Sequence, residues 1–382
     1  MNKIYIFDTT LRDGEQSAGT ALKPAEKFRI ARQLEKLGVD AIEAGFPVSS
    51  PGDFKAVSLI ARNINGAVIT ALARCVQGDI KIAAQALKST KKSRIHVFLP
   101  SSDIHLEKKI GKSRTEALKI AVESVKFAKG LAKQVEYSPE DATRSNFDYL
   151  VKIIRSVIDA GANVINIPDP VGYSAPEEFG SLIKKLKIKI PKLGKQIILS
   201  AHCHNDLGLA NANSLAAINN GANQIECTIN GVGERAGNTA LEEIVMVLKT
   251  RNDLYKNFFT GIVAKEIKKT SLLVSEIMMI PVQPNKAVVG KNAFAHSSGI
   301  HQDGILKDRR TYEILKPEDV GARTHEFILT ARSGKHGLLH KLNLLGYSNF
   351  SENQINRIYR NFLVLADRKK IITDEDLKSI IK

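Results

Sequence analysis

The stretch DAGANVINIPD, residues 159–169, decides the fold because its pattern recurs. An amphipathic segment runs into Gly-Ala-Asn, and a short strand-like run rich in β-branched residues follows. NNGANQIECTI, residues 219–229, repeats that order. A helix-to-strand junction used twice points to repeated βα units. Six further runs of the same kind lie upstream or between: IYIF (4–7), AIEAGF (41–46), AVITALA (67–73), RIHVFL (94–99), QVEYS (134–138) and QIILSAH (196–202). Longer segments separate them, such as PAEKFRIARQLEKLG from Pro24 and FDYLVKIIRSVIDAG from Phe147. Their apolar residues recur at three and four, the spacing of one helix face. These two end at Gly38 and Gly161, the residue type favoured just past a helix C-terminus.

Eight such units within about 250 residues predict an α/β fold of the (β/α)8 TIM-barrel type, here over residues 1–260. An open doubly wound sheet is the other arrangement of alternating units, but no GxGxxG follows the first strand. The alternation stops after residue 255. Helices are expected over 264–280 and 353–366 around an irregular, Gly- and His-rich region. Residues 261–382 are therefore expected to form a smaller, mainly helical C-terminal region.

Of the 382 residues, 43% are apolar and 25% charged, the balance of an ordinary globular protein. No apolar run is long enough to span a membrane, and MNKIYIFDTT lacks the regions of a signal peptide. The three cysteines, Cys75, Cys203 and Cys227, are odd in number and widely spaced, which fits a reducing cytoplasm. The net charge of +16 raises the question of a nucleic-acid partner or an anionic ligand. The basic residues are dispersed over helical faces, and aromatic residues are only 6%, so bases would find few stacking platforms. A solvated basic surface is the expectation, with neither nucleic acid nor membrane as partner.

Barrel chemistry gathers at the C-terminal ends of the strands. The first strand leads into FDTTLRDGEQ with Arg12 and Asp13, and the fourth carries His96. The fifth ends in EYSPEDATR with Ser138 and Glu140, and the sixth in NIPDPVGYS with Asn166 and Pro168. The seventh ends in AHCHND and the eighth in NGVGERAGN. Strand side chains alternate, so His202 and His204 share one face and Cys203 takes the other. Two imidazoles there can share a metal. Asp13 and Asn238 are the next candidates, because strands one, seven and eight are neighbours in a closed barrel. Two His, one Asp and one Asn leave two positions of an octahedral shell open, which suits Mg²⁺ or Mn²⁺ and can accommodate Zn²⁺. A site left open is a catalytic one. Arg12, beside Asp13, is placed either to donate to a bound oxygen or to act as a structural ion-pair partner.

FDTTLRDGEQ, the HxHND stretch, NGxGERAGN and FAHSSGIHQDGILK together resemble the DRE-TIM metallolyases, and more closely the 2-isopropylmalate synthase family. The resemblance runs from Tyr5 to about Asp376. It implies a Claisen-type condensation of acetyl-CoA with 3-methyl-2-oxobutanoate, then thioester hydrolysis to 2-isopropylmalate and CoA, in leucine biosynthesis. It implies a divalent metal, with K⁺ as an activator. It assigns His301 as the base that takes a proton from the acetyl methyl group and Glu234 as the acid that assists it. Glu140 matches an acid near the acetyl group. Leu72, His96, Ser138, Asn166 and Pro168 match positions around the branched side chain of the keto acid. The C-terminal region would cover the barrel mouth of a partner subunit, so a homodimer is expected.

Two departures stand out. The family commonly reads PDTVGY after the sixth strand, with a Thr hydroxyl that helps to hold the substrate carboxylate; here Pro170 has neither hydroxyl nor N–H. The family also usually continues into a leucine-binding regulatory domain, so a short form is expected. The alternatives are a sister synthase for 2-oxoglutarate or pyruvate (homocitrate or citramalate), a lyase of the same superfamily, and a non-catalytic basic binding protein on a decayed barrel. The SSGIHQDG and RIHVF stretches count against the sister synthases. The intact Arg12, Asp13, His202, His204 and Asn238 count against the binding protein.

Overall fold

The computed structural model describes residues 1–322 and 326–381, in two compact units, 1–282 and 283–382. The first unit contains a closed barrel of eight parallel strands: β1 (Tyr5–Asp8), β2 (Ala41–Gly45), β3 (Val68–Arg74), β4 (Ser93–Pro100), β5 (Gln134–Glu140), β6 (Val164–Asp169), β7 (Ile198–Cys203) and β8 (Gln224–Cys227). β8 closes onto β1 through Tyr5 opposite Gln224 and Asp8 opposite Cys227. Each strand is followed by a helix: α1 (Pro24–Leu37), α2 (Pro51–Asn63), α3 (Gln77–Leu87), α4 (Arg114–Lys129), α5 (Phe147–Asp159), α6 (Pro176–Lys189), α7 (Ala210–Asn219) and α8 (Leu241–Thr250). All eight strands expected from the pattern are present.

The Gly-Ala-Asn phrase has a physical cause. Gly161 and Gly221 take φ of 113° and 106°, a left-handed turn that reverses the chain out of α5 and α7. Ala162 and Ala222 are buried and donate back to Val157 and Ala217. Asn163 then brackets the backbone of Val135: its N–H donates to the carbonyl at 2.9 Å and its Oδ1 accepts from the N–H at 3.1 Å. Asn223 brackets Leu199 in the same way, at 2.9 and 2.8 Å. Gly38-Val39-Asp40 is a third copy, with Asp40 bracketing Ile6 at 2.9 Å on both bonds. Each bracket sets the register of an incoming strand against its neighbour.

The outer face of the strands is apolar and packs on the helices, as with Ile165, Ile167, Ile225 and Ala201, all fully buried. The lumen is polar. Arg94 Nη1 donates to Glu136 at 2.9 Å and to Gln224 at 3.0 Å, and Gln224 Nε2 donates to Ser200 at 2.9 Å, which links four strands across the interior.

The barrel unit extends to Val282, beyond the boundary expected at residue 260. The cause is α9 (Ile267–Met278), which packs on the barrel rather than apart from it. Gln33 of α1 donates to Thr270 at 3.0 Å, and Ser271 donates to Asn230 of the eighth loop at 2.6 Å. The second unit holds α10 (Gly299–Lys307), α11 (Lys335–Leu344), α12 (Glu352–Arg368) and α13 (Asp374–Ile381), with a two-residue parallel pairing of 295–296 with 326–327. Its core is Leu338, Leu342, Ile358, Phe362 and Leu377.

Candidate active site

A cavity of about 460 Å³ opens at the C-terminal end of the barrel. Arg12, Asp13, Leu72, His96, Ser138, Glu140, Asn166, Pro168, His202, His204 and Glu234 all line it. Asp13 follows β1, and His202 and His204 lie at the end of β7. Asp13 Oδ2 is 3.5 Å from His202 Nε2 and 3.6 Å from His204 Nε2, and the two imidazoles meet edge to face at 4.8 Å. One ligand atom from each residue lies within 4.8 Å of the others. Asn238 is buried beside them, bridged to His204 through the backbone, and its Oδ1 has no hydrogen-bond partner. An orphaned amide oxygen next to two converging imidazole nitrogens and a carboxylate is a donor set that fits a divalent cation. Cys203 is buried on the opposite side of β7, and burial pushes its thiol up.

Beneath this cluster lies an ion-pair network. Arg12 Nε donates to Glu43 at 2.5 Å, its Nη2 to Glu226 at 3.2 Å, and its Nη1 lies 3.1 Å from Asp13. His96 bonds Glu43 through Nδ1 and Ser138 through Nε2, both at 2.7 Å. Asn166 Nδ2 donates to Glu226 at 2.8 Å and to Ser138 at 3.0 Å. Glu43, His96 and Glu226 converge closely enough to hold a second ion. Arg12 already supplies the cation there, however, and both nitrogens of His96 are engaged.

The charges shift accordingly. Burial opposes ionisation of Asp13, but Arg12, the two imidazoles and the Asn238 amide outweigh it and hold the acid at about 2. Burial and the neighbouring His202 bring His204 down to about 4. His96 moves the other way. Burial disfavours its charge, yet Glu43 foremost, with Glu136 and Glu226, lifts it above 6.5. His202 is likewise raised against burial, by Glu226 and Asp13.

Four charged residues that line or support the site escaped the sequence reading, as did the wall residues Phe46 and Phe98. Glu43 and Glu226 sit in AIEAGF and QIECTI, read only as strands. The signal was there: a lone acid within an otherwise apolar strand must face a polar lumen. Lys109 pairs with Glu140 at 2.6 Å, and Arg235 lines the cavity while held by Asp206 at 2.8 Å. Nothing in the pattern of its segment marks Lys109, whereas Arg235 lies within the NGVGERAGN stretch already picked out after the eighth strand. His301 lies in the second unit, on α10, with its ring stacked on Tyr312.

Fold and site together define a TIM barrel of the HMGL-like class, and the HMGL-like family matches residues 3–274. The homocitrate synthase post-HMGL domain-like family matches residues 288–370. The chain is 55% identical, over its whole length and 74% of the relative's, to 2-isopropylmalate synthase of Carboxydothermus hydrogenoformans. It is 52% identical to 2-isopropylmalate synthase 1 of Caldanaerobacter subterraneus, again over its whole length and 96% of that relative. The chain belongs to the 2-isopropylmalate synthase family. Among solved structures, hydroxymethylglutaryl-CoA lyase from Pseudomonas aeruginosa shares the barrel at a TM-score of 0.62 and 21% identity, covering 74% of this chain and 95% of the lyase.

Proposed function

We propose that this chain is a metal-dependent acyltransferase that condenses acetyl-CoA with 3-methyl-2-oxobutanoate and hydrolyses the thioester, giving 2-isopropylmalate and CoA. The observation that carries this reading is the convergence of Asp13, His202, His204 and the orphaned Asn238 oxygen beside Arg12 at the cavity mouth. Those four residues would hold Mn²⁺ or Mg²⁺, with Zn²⁺ as the third choice, and the ion would supply Lewis acidity toward the keto acid.

Arg12 keeps its charge in the ring of Asp13, Glu43 and Glu226, so it can donate to the keto oxygen as that oxygen gains charge. His301 takes the proton from the acetyl methyl carbon, and the resulting carbon nucleophile attacks the keto carbon. Glu234 assists His301, and Glu140, held by Lys109, stands on the acetyl side. Phe46, Leu72, Phe98 and Pro168 give an apolar wall for the isopropyl group. Both nitrogens of His96 are engaged by Glu43 and Ser138, so His96 itself offers no free donor to the distal carboxylate of 2-oxoglutarate. This disfavours a homocitrate synthase.

The working unit would be a homodimer in which the C-terminal region of one subunit serves the barrel of the other, with K⁺ as activator. Three buried free thiols support a reducing, cytoplasmic setting. The test is thiol release from acetyl-CoA with 3-methyl-2-oxobutanoate, pyruvate and 2-oxoglutarate, each with and without chelator. Release should require 3-methyl-2-oxobutanoate and should stop with chelator. Preference for another keto acid, or turnover in excess chelator, overturns the reading.

A further inference from the structure

Lysine and arginine side chains line the barrel cavity at Arg12, Lys109 and Arg235. They differ in what they have left to give. Arg12 is ringed by Asp13, Glu43 and Glu226 and is assigned above to the keto oxygen. Lys109 is paired with Glu140 at 2.6 Å, on the acetyl side. Arg235 faces Asp206, to which its Nε and Nη2 each donate at 2.8 Å, and the second N–H of Nη2 goes to the Pro170 carbonyl at 2.6 Å. That leaves both N–H groups of Nη1 without a bond among the described residues. The side chain is 42% exposed, so a ligand in the cavity can reach it.

The position is built rather than incidental. Arg235 takes φ of 55°, in the left-handed region that is unfavourable for a residue with a Cβ. Gly237 N–H donates to the Glu234 carbonyl at 3.0 Å and closes a turn around it, and Asn238 N–H donates to the Gly231 carbonyl at 2.9 Å. The turn therefore fixes the guanidinium next to the orphaned Asn238 amide in the chain. Its charge also reaches Asp13 and His204. Pro170 lines the same wall and offers neither N–H nor hydroxyl to the cavity.

We propose that Arg235 is a specificity-determining residue of the cavity: through Nη1 it receives the carboxylate of the 2-oxo acid, on a wall where Pro170 has nothing to donate. This rests on the reading of the cavity as a 2-oxo-acid site. Asp206 and the Pro170 carbonyl already fix the plane of the guanidinium. Little freedom is therefore lost when the carboxylate arrives, and the planar fork suits a carboxylate partner.

The test measures, by calorimetry at saturating Mn²⁺, binding of 3-methyl-2-oxobutanoate and of its neutral carboxamide to the full chain as wild type, R235Q and R235K. Wild type should prefer the acid. R235Q removes the charge and should weaken the acid by about 10- to 100-fold, the loss of one charge-assisted hydrogen bond, and the amide by less than about threefold. R235K keeps the charge but not the fork that grips Asp206 and the Pro170 carbonyl, so it should still prefer the acid. Urea unfolding of the same preparations shows which variants are folded. A folded R235Q that binds the acid within about twofold of wild type, or that loses acid and amide in equal measure, overturns the role and leaves Arg235 as a loop clamp. Should R235Q fail to unfold cooperatively, R235K decides: preference for the acid supports the role, and equal affinity for acid and amide overturns it. Wild type that binds neither ligand overturns the 2-oxo-acid reading of the cavity itself.

Discussion

Replacing Glu226 by glutamine tests whether the lumen network prepares the ligand cluster. Glu226 sits between three groups: Arg12 Nη2 at 3.2 Å, Asn166 Nδ2 at 2.8 Å and His202 Nδ1 at 3.4 Å. Glutamine keeps the volume but loses the charge, and its NH₂ must face at least one of these donors. A hydrogen bond to a charged group contributes about 1.5–3 kcal/mol. Breaking a buried ion pair outright costs about 3–5 kcal/mol. Arg12 retains Glu43 at 2.5 Å and Asp13 at 3.1 Å, so the lower figure applies, about 2 kcal/mol of folding stability. The second effect is on the metal. An imidazole ligand that loses its carboxylate partner typically costs about 10- to 100-fold in affinity, which is about 1.4–2.8 kcal/mol. The assay is calorimetric titration of the metal-free protein with Mn²⁺ and Zn²⁺ at about pH 8.5, where ligand protonation interferes least, with urea unfolding of the same preparation. A variant that unfolds cooperatively and binds both ions within twofold of wild type would refute the orienting role.

Two further outcomes are expected. His96 has a raised pKa in the folded state, so its stabilising contribution is fully present below its ordinary value of 6.5 and is lost as pH rises through the folded value. The gap in urea midpoint between wild type and H96N should therefore be widest near pH 5.5 and shrink toward pH 9; a gap that widens with pH contradicts the assignment. Substituting Asn223 by alanine removes the acceptor for Leu199 N–H at 2.8 Å and should cost about 1–3 kcal/mol in urea unfolding, with N163A similar at β6; no loss in either variant would mean that the bracket does not set register.

The fold was legible because a βα unit writes its boundaries in a few residues. The strands are short apolar runs, and the junctions carry a glycine that only a left-handed turn explains. The Asn side-chain bracket was not legible, since an asparagine after Gly-Ala looks like any polar turn residue. The C-terminal boundary was missed for a related reason. The sequence of α9 shows an amphipathic helix but does not show which surface its apolar face will meet. At the site, residues on the loops after the strands could be found from their spacing and type. Glu43 and Glu226 could not be given roles, because their partners come from strands far away in sequence. Only closure of β8 onto β1 brings Arg12 between them.

The same logic sharpens what Pro170 changes. Three loops at the mouth are tied together by backbone and charge rather than by the side chain at position 170. Arg235 Nη2 donates to the Pro170 carbonyl at 2.6 Å, while its Nε and Nη2 hold Asp206 at 2.8 Å. His204 N–H donates to the Asp169 carbonyl at 3.2 Å, and Asn205 N–H to the Gly237 carbonyl at 2.9 Å. Gly172, at φ 59°, lets the sixth loop pass so close that a Cβ would come within 2.5 Å of Asp206 Oδ2. PDPVGY, HCHND and GERAGN are thus parts of one clamp. The clamp uses only the carbonyl of residue 170. Proline keeps that carbonyl, so the frame around His204 and Asn238 does not depend on a hydroxyl there. What the proline alters is the cavity wall it lines, where a ring face replaces a donor. Its consequence should therefore fall on binding of the substrate carboxylate and not on the convergence of Asp13, His202, His204 and Asn238.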